Sequence, residues 1–307
     1  MKKYPRRDFL TRSALITGCA GLGLGSLTTT GVRAATRKLE ASGRPPALPW
    51  GYKTLDPEKV RKLGHLASYV EGCGGGSFWA IMTALKEKLG GPYSSCMPLP
   101  ERQELLAYLA DRKKRPLPQV MMLYTYSGMS GFGSLCGTVN GAAAAVSIAL
   151  PFKAADQIVP RLLRYYESTP LPTNRANDYA AGGKYLLPKL LAPGKLPQSV
   201  SHSVLCHVSV GNWCQESGFA SGSKERLERC ARLTGDIAAQ AVVLMNSWQA
   251  GKLESEHPLK LSAATESCRK CHFEGPDAAA GQFTRGSMEC ASCHGEMAGH
   301  FDKNRNK

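Results

Sequence analysis

The chain has 307 residues, 43% of them hydrophobic and 21% charged, a globular composition that excludes both a disordered chain and a multi-span membrane protein. The net charge is +15, to which residues 1–34 contribute Lys2, Lys3, Arg6, Arg7, Arg12 and Arg33 against Asp8. Eleven cysteines are too many for inert packing, so the compartment decides how they are read.

Residues 1–34 answer that question. Lys2-Lys3-Tyr4-Pro5-Arg6-Arg7-Asp8-Phe9-Leu10 runs into the apolar Ala14 to Leu27 and then Val32-Arg33-Ala34, a small-residue cleavage site before Ala35. That order is a twin-arginine export signal. Ile16-Thr17-Gly18-Cys19 also resembles a lipoprotein box, but cleavage there would leave a short apolar run before the cysteine and keep Gly21 to Leu27 in the product. Downstream, Val139 to Phe152 is the longest apolar stretch and falls short of the ~20 residues a spanning helix needs. The expected product is free in the periplasm, where nucleic acid is not a sensible partner.

Pro-rich residues Arg44 to Gly51 predict an extended entry segment. Apolar residues at three- and four-residue spacing then predict helices over Phe78 to Leu89, Pro100 to Arg112 and Asp156 to Tyr166, with an Ala-rich helix over Asn140 to Leu150. Residues 168–199 carry five prolines and predict loop around one short helix. The clearest helix is Lys224 to Trp248, with Leu227, Cys230, Leu233, Ile237, Ala241 and Leu244 on one face and Lys224, Arg226 and Arg229 elsewhere. Past Trp248 the periodicity fades into Gly, Ser, Glu, His and four cysteines. The predicted fold is all-α, a helical bundle body over 35–250 followed by an irregular c-type haem-binding segment over 251–307.

Cys268-Arg269-Lys270-Cys271-His272 and Cys290-Ala291-Ser292-Cys293-His294 are complete C-x-x-C-H motifs, the attachment signature of c-type haem. Two thiols three positions apart can bond one porphyrin, and the adjacent His272 or His294 is delivered to the iron as proximal ligand. The same cysteines also read as C-x2-C-x18-C-x2-C, a zinc-ribbon spacing. A four-Cys zinc site does not use the histidine that follows each pair, so two haem c groups are the expectation. For the second axial positions His207, His257 and His300 are the candidates, ahead of His65, His202, Met288 and Met297. His300, six residues after His294, reaches a neighbouring haem or another subunit more easily than the far face of its own iron.

Six cysteines remain in the body: Cys73, Cys96, Cys136, Cys206, Cys214 and Cys230. Three periplasmic disulfides are one reading. Cys73 and Cys136, however, are set among glycines ahead of helical segments, where backbone can approach closely and thiolate charge is favoured. Four such thiolates suit an iron–sulfur cluster.

The run Leu205-Cys206-His207-Val208-Ser209-Val210-Gly211-Asn212-Trp213-Cys214, then Ser221 to Arg226 and Arg229-Cys230, followed by the two haem motifs, resembles the split-Soret cytochromes c. The body separately resembles the redox family with the signature C…GCAxxG…C…C, matched here by Cys73, Cys136, Cys206 and Cys230, with Cys214 as a substitute for Cys206. Its second element departs from that pattern, since Gly137 replaces the Ala and Gly141 comes one position late. The resemblance implies a homodimer with two bis-His c-haems per chain, stacked nearly parallel, some axial histidines crossing between subunits, and an iron–sulfur centre in the helical body. A cluster inserted before export would also explain a signal that carries folded cargo.

The expected function is electron transfer between redox partner proteins, since two bis-His irons leave no open position. A multihaem reductase or peroxidase with one open haem site and a zinc-ribbon binding protein are the alternatives. No G-x-S-x-G, H-E-x-x-H or phosphate loop is present.

Overall fold

The computed structural model describes residues 45–273 and 286–294. The expected export signal over residues 1–34 and the candidate ligand His300 lie outside the described residues. The chain divides into Met1–Pro46 and Ala47–Lys307, and all the helices described belong to the second unit. In chain order they are α1 (Pro57–Leu89), α2 (Arg102–Ala110), a 3-10 turn (Leu123–Thr125), α3 (Gly137–Ala149), α4 (Phe152–Ser168), α5 (Asn174–Ala181), α6 (Cys206–Ser217), α7 (Lys224–Gln249), α8 (Leu253–Glu256) and α9 (Ala263–His272). Strands β1 (Pro170–Leu171) and β2 (Ser199–Val200) pair antiparallel, Pro170 opposite Val200.

The all-α expectation holds, and its helices return with adjusted ends. Phe78 to Leu89 is the last third of α1, whose first two turns are capped by Asp56 accepting from Glu58 N–H at 2.9 Å. The earlier part of α1 escaped the periodicity because Gly72 to Gly76 interrupt it. At Gly72 the helix kinks, with φ 66° and ψ −173°, a backbone state that glycine adopts without steric cost. On α7 one expectation fails. Leu227 is 45% exposed, whereas Arg229, placed away from the apolar face, is 1% exposed; its guanidinium meets polar groups of α6 and a cavity described below.

α1 and α7 form the spine, and α3 and α4 pack against α7, with α3 also against α1. Their contacts bury Phe78, Trp79, Leu85, Val146, Ile158, Ile237 and Met245 to 1% exposure or less; side chains of this size contribute about 1.5–3 kcal/mol each on burial. Trp79 keeps its indole N–H satisfied by donating to Pro100 O at 2.8 Å. Tyr52 Oη donates to Asn246 Oδ1 at 2.6 Å, which ties the entry segment to α7.

A polar network fastens residues 174–196 to the spine. Glu228 accepts from Arg232 Nε at 3.0 Å and from Tyr69 Oη, and lies 3.0 Å from His65 Nε2. Arg232 continues to Asn177 Oδ1 at 2.7 Å and to the carbonyls of Ala192 and Gly194. With Arg232 already paired to Glu228, burial holds the His65 imidazole below its ordinary range. The ring stacks on Tyr185 at 3.6 Å between centroids. Arg61 pairs in the same way with buried Asp236, which also accepts from Thr173 N–H at 2.8 Å.

Candidate metal centre

Four thiols arrive at one place from four elements. Cys73 follows the kink at Gly72 and so begins the second half of α1. Cys136 caps α3, Cys206 opens α6, and Cys230 lies in the second turn of α7. Three of the four thus sit at helix starts, where unpaired N–H groups and the positive end of the dipole favour a thiolate.

Glycine lets these elements close up. A Cβ at Gly137 would lie 2.6 Å from Cys73 Sγ and 2.4 Å from Thr125 O, and one at Gly141 would lie 1.9 Å from Gly74 O. The glycine one position late in the sequence motif is therefore the point where α3 crosses α1 backbone to backbone. Cys206 is positioned by Cys206 N–H donating to Ser134 O at 2.7 Å and Cys136 N–H to Val204 O at 2.9 Å.

Cys73, Cys136, Cys206 and Cys230 line a cavity of about 610 Å³ that opens to solvent. No three His, Cys, Asp or Glu side chains among the described residues converge as a single ion would need. The thiols ring a space instead, an arrangement that suits a group with its own bridging atoms, as in an iron–sulfur core. Burial, and then the neighbouring Cys136 and Cys230, push the Cys73 thiol far above the ordinary range. Cys206 is pushed up to about 12 by burial and the same two neighbours, with Arg229 and Arg226 pulling it down. Bound metal would supply the charge that ionises Cys73 and Cys206.

The cavity wall holds Arg112, Arg226 and Arg229 and, among the described residues, no carboxylate. Tyr166, from α4, completes its floor and is fully buried. Arg229 and Tyr166 escaped the sequence reading; the available signal was an arginine one residue before a cysteine on a helix. Cys214 points elsewhere, packed in a small cluster with Trp213, Phe219, Ala192 and Leu196. Cys96 lies in the turn after α1, its Sγ 3.6 Å from Ser95 Oγ. The nine cysteines described in full are all free thiols.

The first C-x-x-C-H motif occupies the last five residues of α9, a helix capped by Ser262 accepting from Thr265 N–H at 3.1 Å. The second is a single helical turn, with His294 N–H donating to Cys290 O at 2.9 Å. Cys268 and Cys290 are half-buried and Cys293 is exposed, as covalent attachment of a large planar group requires. Partial burial and then Cys290 beside it raise the Cys268 thiol. Thr265 joins the two motifs by donating to Glu289 Oε1 at 3.2 Å and accepting from Cys290 N–H at 3.2 Å.

α4 ties this segment to the body. Arg164 Nε donates to Lys260 O at 3.0 Å, Arg161 Nε to His257 O at 2.6 Å, and Glu289 N–H to Glu167 Oε2 at 3.3 Å. Glu167 thus bonds the residue just before the second C-x-x-C-H motif while its neighbour Tyr166 lines the thiol cavity. Of the distal candidates, His207 is exposed at the start of α6 and His257 is half-buried before α9. His65 is taken up by the Glu228 network.

A family model described as a redox-active protein (C_GCAxxG_C_C) matches residues 103–244. The split-Soret cytochrome c of Desulfovibrio desulfuricans is 34% identical over 308 residues, covering 97% of each chain. A solved structure describing a novel iron centre in the split-Soret cytochrome c from Desulfovibrio desulfuricans ATCC 27774 has a TM-score of 0.63 at 32% identity, covering 84% of this chain and 95% of that one. This chain belongs to the split-Soret cytochrome c family.

Proposed function

We propose that this chain is a periplasmic electron-transfer protein, exported by the twin-arginine route, with two covalent haem c groups and an iron–sulfur centre. The observation that carries the reading is the pairing of two C-x-x-C-H motifs with four thiols around one cavity, the cavity meeting Tyr166 and the residue before the second motif meeting Glu167, its neighbour on α4. Cys268 and Cys271 hold one haem and Cys290 and Cys293 the other, with His272 and His294 as proximal ligands. Cys73, Cys136, Cys206 and Cys230 hold the iron–sulfur centre. Haem and iron supply one-electron chemistry when bound; the protein's part is to fix ligands, exclude water and set the distance between centres.

Distal ligation falls to His207, His257 and His300, with His300 suited to a second subunit. The haem segment has few apolar residues of its own, so the large faces of its haems need cover from each other, the body or another chain. A homodimer supplies that cover.

Protein purified from its native periplasm tests the reading. We expect total iron to exceed haem iron, acid-labile sulfide to accompany the excess, and sedimentation to give twice the chain mass. Iron equal to haem iron, with Cys73, Cys136, Cys206 and Cys230 mapped into disulfides, would overturn the iron–sulfur assignment. Colourless protein carrying zinc would overturn the whole.

A further inference from the structure

We propose that Arg229 is the fixed counter-charge of the metal–thiolate centre, with Tyr166 as a hydroxyl donor beside it; the inference rests on the iron–sulfur reading above. Arg229 is 1% exposed. One terminal nitrogen donates to Ser209 Oγ at 2.8 Å, while its Nε meets no acceptor. No carboxylate pairs with it among the described residues. The contrast with the other buried guanidinium groups is plain: Arg232 pairs with Glu228, and Arg61 with Asp236.

A buried cation without an anion is strongly unfavourable, so its anion is to be sought in what the cavity holds. Arg229 lines that cavity together with the four thiols, and among the described residues no Asp or Glu does. Four thiolates carry four negative charges, more than the positive charge of the iron–sulfur cores they bind, so such a centre is net anionic. Tyr166 lines the same cavity at 0% exposure, and its hydroxyl also has no acceptor. Two unsatisfied donors, from α7 and α4, therefore border the space that would hold the metal centre.

The charge has a direction of effect. A fixed cation stabilises the more negative, reduced form, so it raises the reduction potential and slows loss of metal. Arg229→Met in the full-length holoprotein should move the non-haem midpoint, read by redox titration with EPR detection, to a lower potential. Iron affinity, read by competition with a ferrous chelator, should fall about tenfold to a hundredfold. Arg229→Lys should restore most of both. Once the iron is stripped, the order reverses: metal-free Arg229→Met should melt above metal-free wild type, because it no longer buries a charge without a partner.

An unchanged midpoint and unchanged iron retention in Arg229→Met would overturn the inference, as would a lower melting temperature in the metal-free form. Should Arg229→Met fail to fold, Arg229→Gln under the same three readouts decides it. Wild-type protein without non-haem iron would instead sink the iron–sulfur reading itself, so the two failures are told apart before any variant is made.

Discussion

Replacing Cys268 and Cys271 by alanine should remove one of two haems, and replacing Cys290 and Cys293 the other. Haem stain on a denaturing gel should fall by about half in each double variant and vanish in the quadruple variant, because thioether bonds alone survive denaturation. The two motifs are independent at the level of attachment, since each is complete within five residues. The non-haem iron should persist in all three variants. Its thiols stand on α1, α3, α6 and α7, outside the haem segment, which among the described residues meets the body at α4, at Ser247 of α7 and, through Met288, at Ser203. Full staining of the quadruple variant would refute haem attachment at these sites; loss of non-haem iron alongside haem would refute the separation of the two centres.

The second large effect is expected at Gly141. A methyl group there would lie 1.9 Å from Gly74 O and 2.7 Å from Gly74 C. Both are backbone atoms of α1, so no side chain can swing aside, and α1 and α3 must part. Overpacking of this kind costs about 1–3 kcal/mol or more, which lowers Tm by roughly 2–12 °C in a protein of this size. Because the same crossing sets Cys136 beside Cys73, Gly141→Ala should also lose iron. Gly211, in α6 with nothing within 4 Å of an added Cβ, is the control: alanine there improves helix propensity by about 1 kcal/mol. Equal melting of the two variants would show that the crossing tolerates separation.

What was legible in the sequence divides along the range of the interactions. The C-x-x-C-H motifs are local, and five consecutive residues carry their chemistry. α7 was read to within a residue of its ends because Leu233, Ile237, Ala241 and Leu244 mark its buried face. α1 was read for a third of its length, since Gly72 to Gly76 break the period in order to meet Thr125, Gly137 and Gly141, contacts from across the chain. Arg229 was placed off the apolar face of α7, and only the arrival of Ser209 and the cavity explains its burial. The Glu228 network was invisible for the same reason, its members being drawn from α1, α7 and residues 177–194.

Three of the four thiols ride on α1, α3 and α7, which pack on one another, while Cys206 rides on α6, whose main packing partner is the two-residue β2. The ring is therefore closed by its least anchored member, and opening it does not require the core to unfold. Local unfolding follows the weakest element, so the amides of residues 209–217 should exchange with solvent sooner than those of α7. Stripping the metal should widen that gap; equal exchange in both states would mean that α6 is held by the fold alone. On this view the lifetime of the bound metal is set by the detachment of twelve residues, and the helical core can be very stable without making the centre so.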